Sequence, residues 1–155
     1  MQLGTKTRAT AVNVAQETLT GICAGTTIMT LDGEIPVEHL SVGDRVITRD
    51  SGMAVLRDIK VEKHRTQAIR IKAGSLGHTR PDRDMIVAPQ AQIHIRDWRA
   101  EALFGASAAM VSADRLVDGE YLAFQDTHEL TLYTLTFDRQ HILYADGVEM
   151  ASAAV

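Results

Sequence analysis

From residue 23 onward the apolar positions fall in short runs, many alternating with polar ones, and turn signals separate them. Alternation with a period of two places successive side chains on opposite faces, so such runs predict strands with one face turned inward. Thr26-Thr27-Ile28-Met29-Thr30 is rich in β-branched residues and closes on Asp32-Gly33, a pair that tolerates the positive φ of a tight hairpin. Arg45–Thr48 is a second short strand, followed by a turn at Asp50-Ser51-Gly52. Val55–Val61 and Ala68–Ile71 continue the pattern, and Met85–Val87 and Gln92–Ile95 flank a turn at Pro89. Leu130–Phe137 alternates cleanly, and His141–Ala145 runs into Asp146-Gly147. Helix is expected only in short pieces, Val37–Leu40 and Ala113–Leu116. Residues 97–110 fit either a loop or a turn of helix, from which Trp98, Leu103 and Phe104 would cap the core. Many short strands with regular turns predict an all-β domain.

Two segments echo one another. Glu38–Val46 and Asp114–Leu122 share the order acid, any residue, Leu, two of any kind, Gly, acid, any residue, aliphatic. A weaker echo relates Ala88–Ile93 to Asp138–Leu143. A turn-plus-strand unit used twice implies two related β subdomains about a pseudo-two-fold axis.

Composition narrows the function classes. The chain has 155 residues, 45% hydrophobic and 23% charged, which suits one folded domain with its own core. The net charge is −4, and the basic residues at 57, 60, 63, 65, 70 and 72 alternate with apolar and acidic ones. They are expected on the solvated face of strands, not as a nucleic-acid footprint. Cys23 is the single cysteine, so neither an intrachain disulfide nor a cysteine metal cluster is available. No apolar stretch is long enough to cross a bilayer as a helix, so no membrane partner is expected, and the first twenty residues lack the apolar core of a secretory signal. Localisation stays open, and a secreted host protein is allowed. No metal, nucleotide or flavin motif is present, so no cofactor is expected.

Cys23 stands where a lead-in segment meets the first predicted strand. It is followed by a small-residue turn, the strand Thr26–Thr30, Asp32-Gly33, and the segment Ile35-Pro36-Val37-Glu38-His39-Leu40-Ser41-Val42-Gly43-Asp44-Arg45-Val46. This order resembles the opening block of Hint domains, the hedgehog/intein family. Tyr133–Val148, with its strand, turn, His141, second strand and Asp146-Gly147 corner, resembles the family's closing block without gaps. Leu76–Asp84 and Leu116–Gly119 are most similar to bacterial Hint domains that end larger proteins. The resemblance covers residues 23–152. It implies the all-β Hint fold with two pseudo-symmetric subdomains, an upstream flanking segment at 1–22 and a short tail at 153–155.

The same resemblance implies a chemistry. A nucleophilic Cys23 would attack the Ile22 carbonyl, exchanging the Ile22–Cys23 amide for a thioester by an N-to-S acyl shift; water or a small thiol would then resolve it. The partner is therefore the protein's own upstream segment. The family's middle block places a Thr-x-x-His, or Ser-Pro-x-His, before a strand, its imidazole protonating the departing nitrogen. Here those positions are Ala88 and Ala91. Either activity has been lost, or Ala91 was introduced to hold the uncleaved precursor. His94 is expected to point opposite to residue 91, half-exposed on its strand. His141 matches the closing-block histidine and is the other proton-transfer candidate, its alternative being a hydrogen-bonded residue that fixes the last turn. Thr134 stands where many inteins carry a catalytic Asp. His39, His64, His78 and His128 are read as surface residues.

Splicing needs an Asn, usually after a His, at the downstream junction; those places hold Ala151 and Ser152, and Asn13 is the only asparagine. Intein-style splicing is therefore not expected. Sterol transfer of the hedgehog kind is not expected either, since no sterol-recognising segment follows residue 152. Three functions remain: self-cleavage at Ile22–Cys23, a catalytically degenerate Hint fold used for binding or capping, and a cysteine hydrolase that would need an open Cys–His cleft. If Cys23 is a nucleophile, Gly21 and Ile22 should lie within the fold.

Overall fold

The structure is a computed structural model and describes residues 18–154. The expected lead-in segment therefore lies, up to residue 17, outside the described residues. In chain order the strands are β1 (Ile22–Cys23), β2 (Thr27–Thr30), β3 (Gly33–Pro36), β4 (Arg45–Thr48), β5 (Gly52–Val55), β6 (Asp58–Thr66), β7 (Ile69–Ile71), β8 (Met85–Val87) and β9 (Gln92–Ile95). The helix α1 (Trp98–Phe104) follows, then β10 (Ala109–Ser112), β11 (Leu122–Phe124), β12 (His128–Thr136), β13 (Ile142–Ala145) and β14 (Val148–Ala151). Single 3₁₀ turns occupy Val37–His39 and Ala113–Leu116, where short helix was expected.

The strands form three sheets. The largest runs β10-β9-β14-β13-β2-β4-β5 with β3 paired to β2; the others are β1-β12-β6 and β11-β7-β8. The two predicted hairpins are present. Thr30 opposes Gly33 at the first, where Gly33 has φ +100°. Ala145 opposes Val148 at the second, where Asp146 and Gly147 both have positive φ, the geometry a two-residue turn requires.

Both copies of the repeated unit fold alike. Each begins with a 3₁₀ turn, buries its leucine (Leu40, Leu116), turns at a positive-φ glycine (Gly43, Gly119) and enters a strand (β4, β11). The preceding turns match as well. Thr26 N–H donates to Cys23 O at 3.2 Å, and Ala91 N–H donates to Ala88 O at 3.1 Å. Val37 N–H then bonds Thr26 O at 2.8 Å, as Ala113 N–H bonds Ala91 O at 2.8 Å. Cys23 and Ala88 are thus pseudo-equivalent.

The core joins Ile28, Leu56, Ile69, Ile71, Ile93, Leu122, Leu135, Phe137, Leu143 and Met150, each buried. Burying one such side chain contributes about 1.5–3 kcal/mol. Along β12 the inward residues are Leu130 and Leu132, then Leu135. The buried face thus changes side between Leu132 and Leu135, and β1 pairs at that crossover, Ile22 with Tyr133 and Cys23 with Leu132. Side chains on both faces of β1 are buried there.

Two expectations need correction. Val55–Val61 is not one strand: β5 ends at Val55 in the large sheet, Leu56 is buried in the core, and β6 starts at Asp58 in another sheet. Of residues 97–110, left open between loop and helix, Trp98–Phe104 are helix. The Asp97 side chain caps Arg99 N–H, and Gly105 closes the helix at φ +66°. Trp98 and Leu103 are exposed and do not cap the core; Ala100 and Phe104 supply the packing face.

Candidate functional site

The Ile22–Cys23 peptide lies in the interior, with Ile22 5% and Cys23 6% exposed. Ala24 N–H donates to Thr131 O at 3.0 Å. Hydrogen-bonded pairs alternate along an antiparallel ladder, so Ile22/Tyr133 is the next such pair, and Tyr133 N–H donates to the Ile22 carbonyl. Cys23 and Leu132 form the intervening non-bonded pair. Cys23 N–H therefore turns away from β12.

The flanks are held on both sides. Upstream, Leu19 N–H donates to Gln90 Oε1 at 3.0 Å and Gln90 N–H to Leu19 O at 3.1 Å. A Cβ on Gly21 would lie 2.9 Å from Leu132 Cβ, so only glycine fits without displacing the strand. Downstream, Gly25 N–H donates to Glu38 Oε1 at 2.8 Å and Arg83 Nη2 to Gly25 O at 2.8 Å. Asp146 Oδ1 accepts from both the N–H and the hydroxyl of Thr27, at 3.0 and 2.8 Å. Burial pushes the Cys23 thiol up to about 12.

The 88–91 turn sits beside this junction: β1 packs on β8, and Gln90 within the turn binds Leu19. Ala88 and Ala91 are both fully buried and offer no polar side chain. His94 is more enclosed than expected, its Nδ1 lying 2.7 Å from Glu149 Oε1. Arg96 and Arg49 also bind that carboxylate at 2.6 and 3.0 Å, and Arg80 lies at 3.4 Å. Burial alone would raise the Glu149 carboxyl, but Arg96, His94 and Arg80 outweigh it and hold it below the ordinary range.

The ring of His141 bonds to groups other than Cys23. Its Nε2 lies 2.8 Å from Asp138 Oδ1 and its Nδ1 3.1 Å from Asp50 Oδ2, with Ser51 Oγ at 3.3 Å. Both ring nitrogens face carboxylates, an arrangement that fits the alternative reading of a hydrogen-bonded residue fixing the last turn. His39 and His78 are exposed, whereas His64 and His128 are half-buried. Among the described residues no group of three or more His, Cys, Asp or Glu side chains is placed to hold a metal ion, and no helix is long and apolar enough to cross a membrane.

Beside the junction lies a cavity of about 210 Å³, walled by Gly21, Ile22, Tyr133, Thr134, Leu135 and residues 151–154 among others. Gln140 Nε2 donates to Ser152 O at 3.0 Å, and His141 N–H donates to Ser152 Oγ at 2.9 Å. Gln90, Tyr133 and Gln140 escaped the sequence reading because they act through backbone groups or position. Only the place of Gln90 inside the 88–91 turn could have signalled its role.

A pseudo-symmetric β domain with a cysteine at the start of its first turn, the peptide bond before it buried, defines the hedgehog/intein class of self-processing domains. The chain belongs to the Hint domain family, whose match spans residues 20–154. Solved structures agree in fold. A bacterial intein-like domain from Clostridium thermocellum superposes with a TM-score of 0.59 at 15% identity, covering 88% of this chain and 100% of that one. The MchDnaB-1 intein gives 0.55 at 11% identity over 85% and 99%, and the gp41-1 intein 0.51 at 12% over 84% and 96%. No curated protein sequence matches the chain.

Proposed function

We propose that this domain performs an N-to-S acyl shift at Cys23 and cleaves the Ile22–Cys23 bond through a thioester, and that Ala91 makes it slow. Cys23 Sγ attacks the Ile22 carbonyl carbon, the C–N bond breaks, and the thiol proton ends on the Cys23 nitrogen. Tyr133 N–H supports the developing oxyanion, a role that needs a fixed donor and no side chain. The observation that carries the proposal is the split fate of this one peptide: its carbonyl is held by β12, while its N–H faces away from β12. An imidazole at position 91, on the adjacent turn, would meet it and supply the proton. Water or a small thiol then resolves the thioester.

The degenerate reading has its own support: burial pushes the Cys23 thiol to about 12, and Ala88 and Ala91 provide neither base nor acid. A hydrolase acting on other molecules fits least, because Cys23 is buried and His141 is engaged elsewhere. An intact-mass time course of the parent beside Ala91→His, with and without a small thiol, separates these. Scission between Ile22 and Cys23 in the variant, faster with thiol, is the expected result. If both chains stay whole, autoprocessing is refuted and the binding or capping module stands.

A further inference from the structure

We infer that the cavity beside Ile22 is the acyl-acceptor site and that it selects small uncharged nucleophiles, neutral thiols or alcohols, over anionic ones; this rests on the autoprocessing proposed above. Three observations carry it. The cavity shares a wall with Ile22, whose carbonyl carbon would be the electrophile. Its volume of about 210 Å³ falls below the roughly 300 Å³ at which drug-sized sites begin, so it suits a small acceptor. Every described residue that lines it is uncharged.

The lining also has a specific polar feature. Ser152 is only 6% exposed, and its Oγ already accepts from His141 N–H. Its own hydroxyl proton has no acceptor among the described residues, so a buried donor is left for whatever enters. Thr134 also lines the cavity. An anion entering here would lose its hydration without meeting a cation among the described lining residues, which disfavours its entry. A neutral thiol or alcohol loses less and can accept from Ser152. In the transfer step the acceptor's sulfur or oxygen bonds to the Ile22 carbonyl carbon, the C–S bond to Cys23 breaks, and the acceptor's proton ends on the Cys23 sulfur. No oxidant or reductant is involved.

The test uses the full chain carrying Ala91→His, with 2-mercaptoethanol or 2-mercaptoethanesulfonate as acceptor. Each rate is divided by the rate of the same thiol against a free peptide thioester. We expect the neutral thiol to win by tenfold or more after this correction, and Thr134→Lys to reverse the order by placing a cation in the wall. Equal corrected rates overturn the selection and leave autoprocessing intact. No cleavage with either thiol overturns both. A second measurement needs no cleavage: NMR titration of the parent chain with 2-propanol or isethionate, followed on the methyls of Leu135, Ala151 and Ala153. Shifts with the alcohol alone support the site; equal shifts with both, or none, overturn it.

Discussion

The enclosure of Cys23 can be measured through its reactivity with a small alkylating agent. With the thiol pushed up to about 12 by burial, about 3 in 10⁵ molecules carry thiolate at pH 7.5. A free cysteine titrating near 8.5 has about 9% at that pH, so ionisation alone slows Cys23 by about 3,000-fold. A more basic thiolate is intrinsically the better nucleophile. With a Brønsted slope of about 0.45, the difference of roughly 3.5 pH units returns about 40-fold. The net expectation is alkylation about 75-fold slower than in the unfolded chain, before any steric shielding. The rate should rise about tenfold per pH unit past pH 9, where a free thiol has levelled off. Mass spectrometry of quenched samples gives the profile directly. Stability supplies the second arm. The folded value lies above the ordinary value of 9.0, so the contribution of the neutral thiol is complete below pH 9 and is lost as pH rises toward about 12. Relative to Cys23→Ala, the parent should lose roughly 1.4 kcal/mol per pH unit across that window. An alkylation midpoint near 8.5, with no extra alkaline slope, would refute the buried, desolvated thiol.

Gly21→Ala should cost about 1–3 kcal/mol by urea unfolding, because its Cβ would press on Leu132 Cβ, while Thr20→Ala at an exposed position should change stability by under about 0.5 kcal/mol. Glu149→Gln should cost about 3 kcal/mol, since it removes the one buried carboxylate that Arg49, Arg80, Arg96 and His94 share; a loss under about 0.5 kcal/mol would mean the arginines are satisfied by water. Burial tends to raise the Asp50 carboxyl, but Ile142 N–H and His141 hold it below the ordinary range. Its contribution is therefore present above about pH 4 and lost as pH falls through the lowered folded value. Asp50→Asn should give a shallower acid-unfolding profile, and an unchanged profile would remove Asp50 from the clasp on His141.

The sequence showed most of the fold because its signals were local. β2, β4, β9 and β13 follow from alternation, and the hairpins at Asp32-Gly33 and Asp146-Gly147 from residues that accept positive φ. The repeat was legible because both copies need a glycine at the same bend. What stayed hidden depends on non-local pairing. Nothing in Met53 to Val61 marks the point where the chain leaves one sheet for another. Helix α1 was recoverable, as Asp97 and Gly105 are cap residues at the right spacing, but its exposed Trp98 and Leu103 disguised the pattern. His141 shows the limit most clearly. Its place in the closing block was readable, but the two carboxylates that face it come from separate turns, at Asp50 and Asp138.

The divided treatment of the Ile22–Cys23 peptide bears on how such a domain keeps or loses its chemistry. The groups that hold the carbonyl and the residue after Cys23 on β12 are backbone: Tyr133 N–H and Thr131 O. They are fixed by strand register, and a register shift of one residue would turn the buried face outward, so they persist while the fold does. The groups that would move protons are side chains at 88, 91 and 134, and replacing them with Ala or Thr leaves the core closed. Ala88 and Ala91 are in fact fully buried without strain on the turn, whose Ala91-to-Ala88 hydrogen bond stays at 3.1 Å. Under the proposed chemistry, losing the proton-moving side chains costs the fold little, and restoring the reaction asks for an imidazole beside an amide that faces away from β12. On that proposal the positioning half of the reaction is built into the sheet, and the proton-transfer half depends on the side chains at 88, 91 and 134.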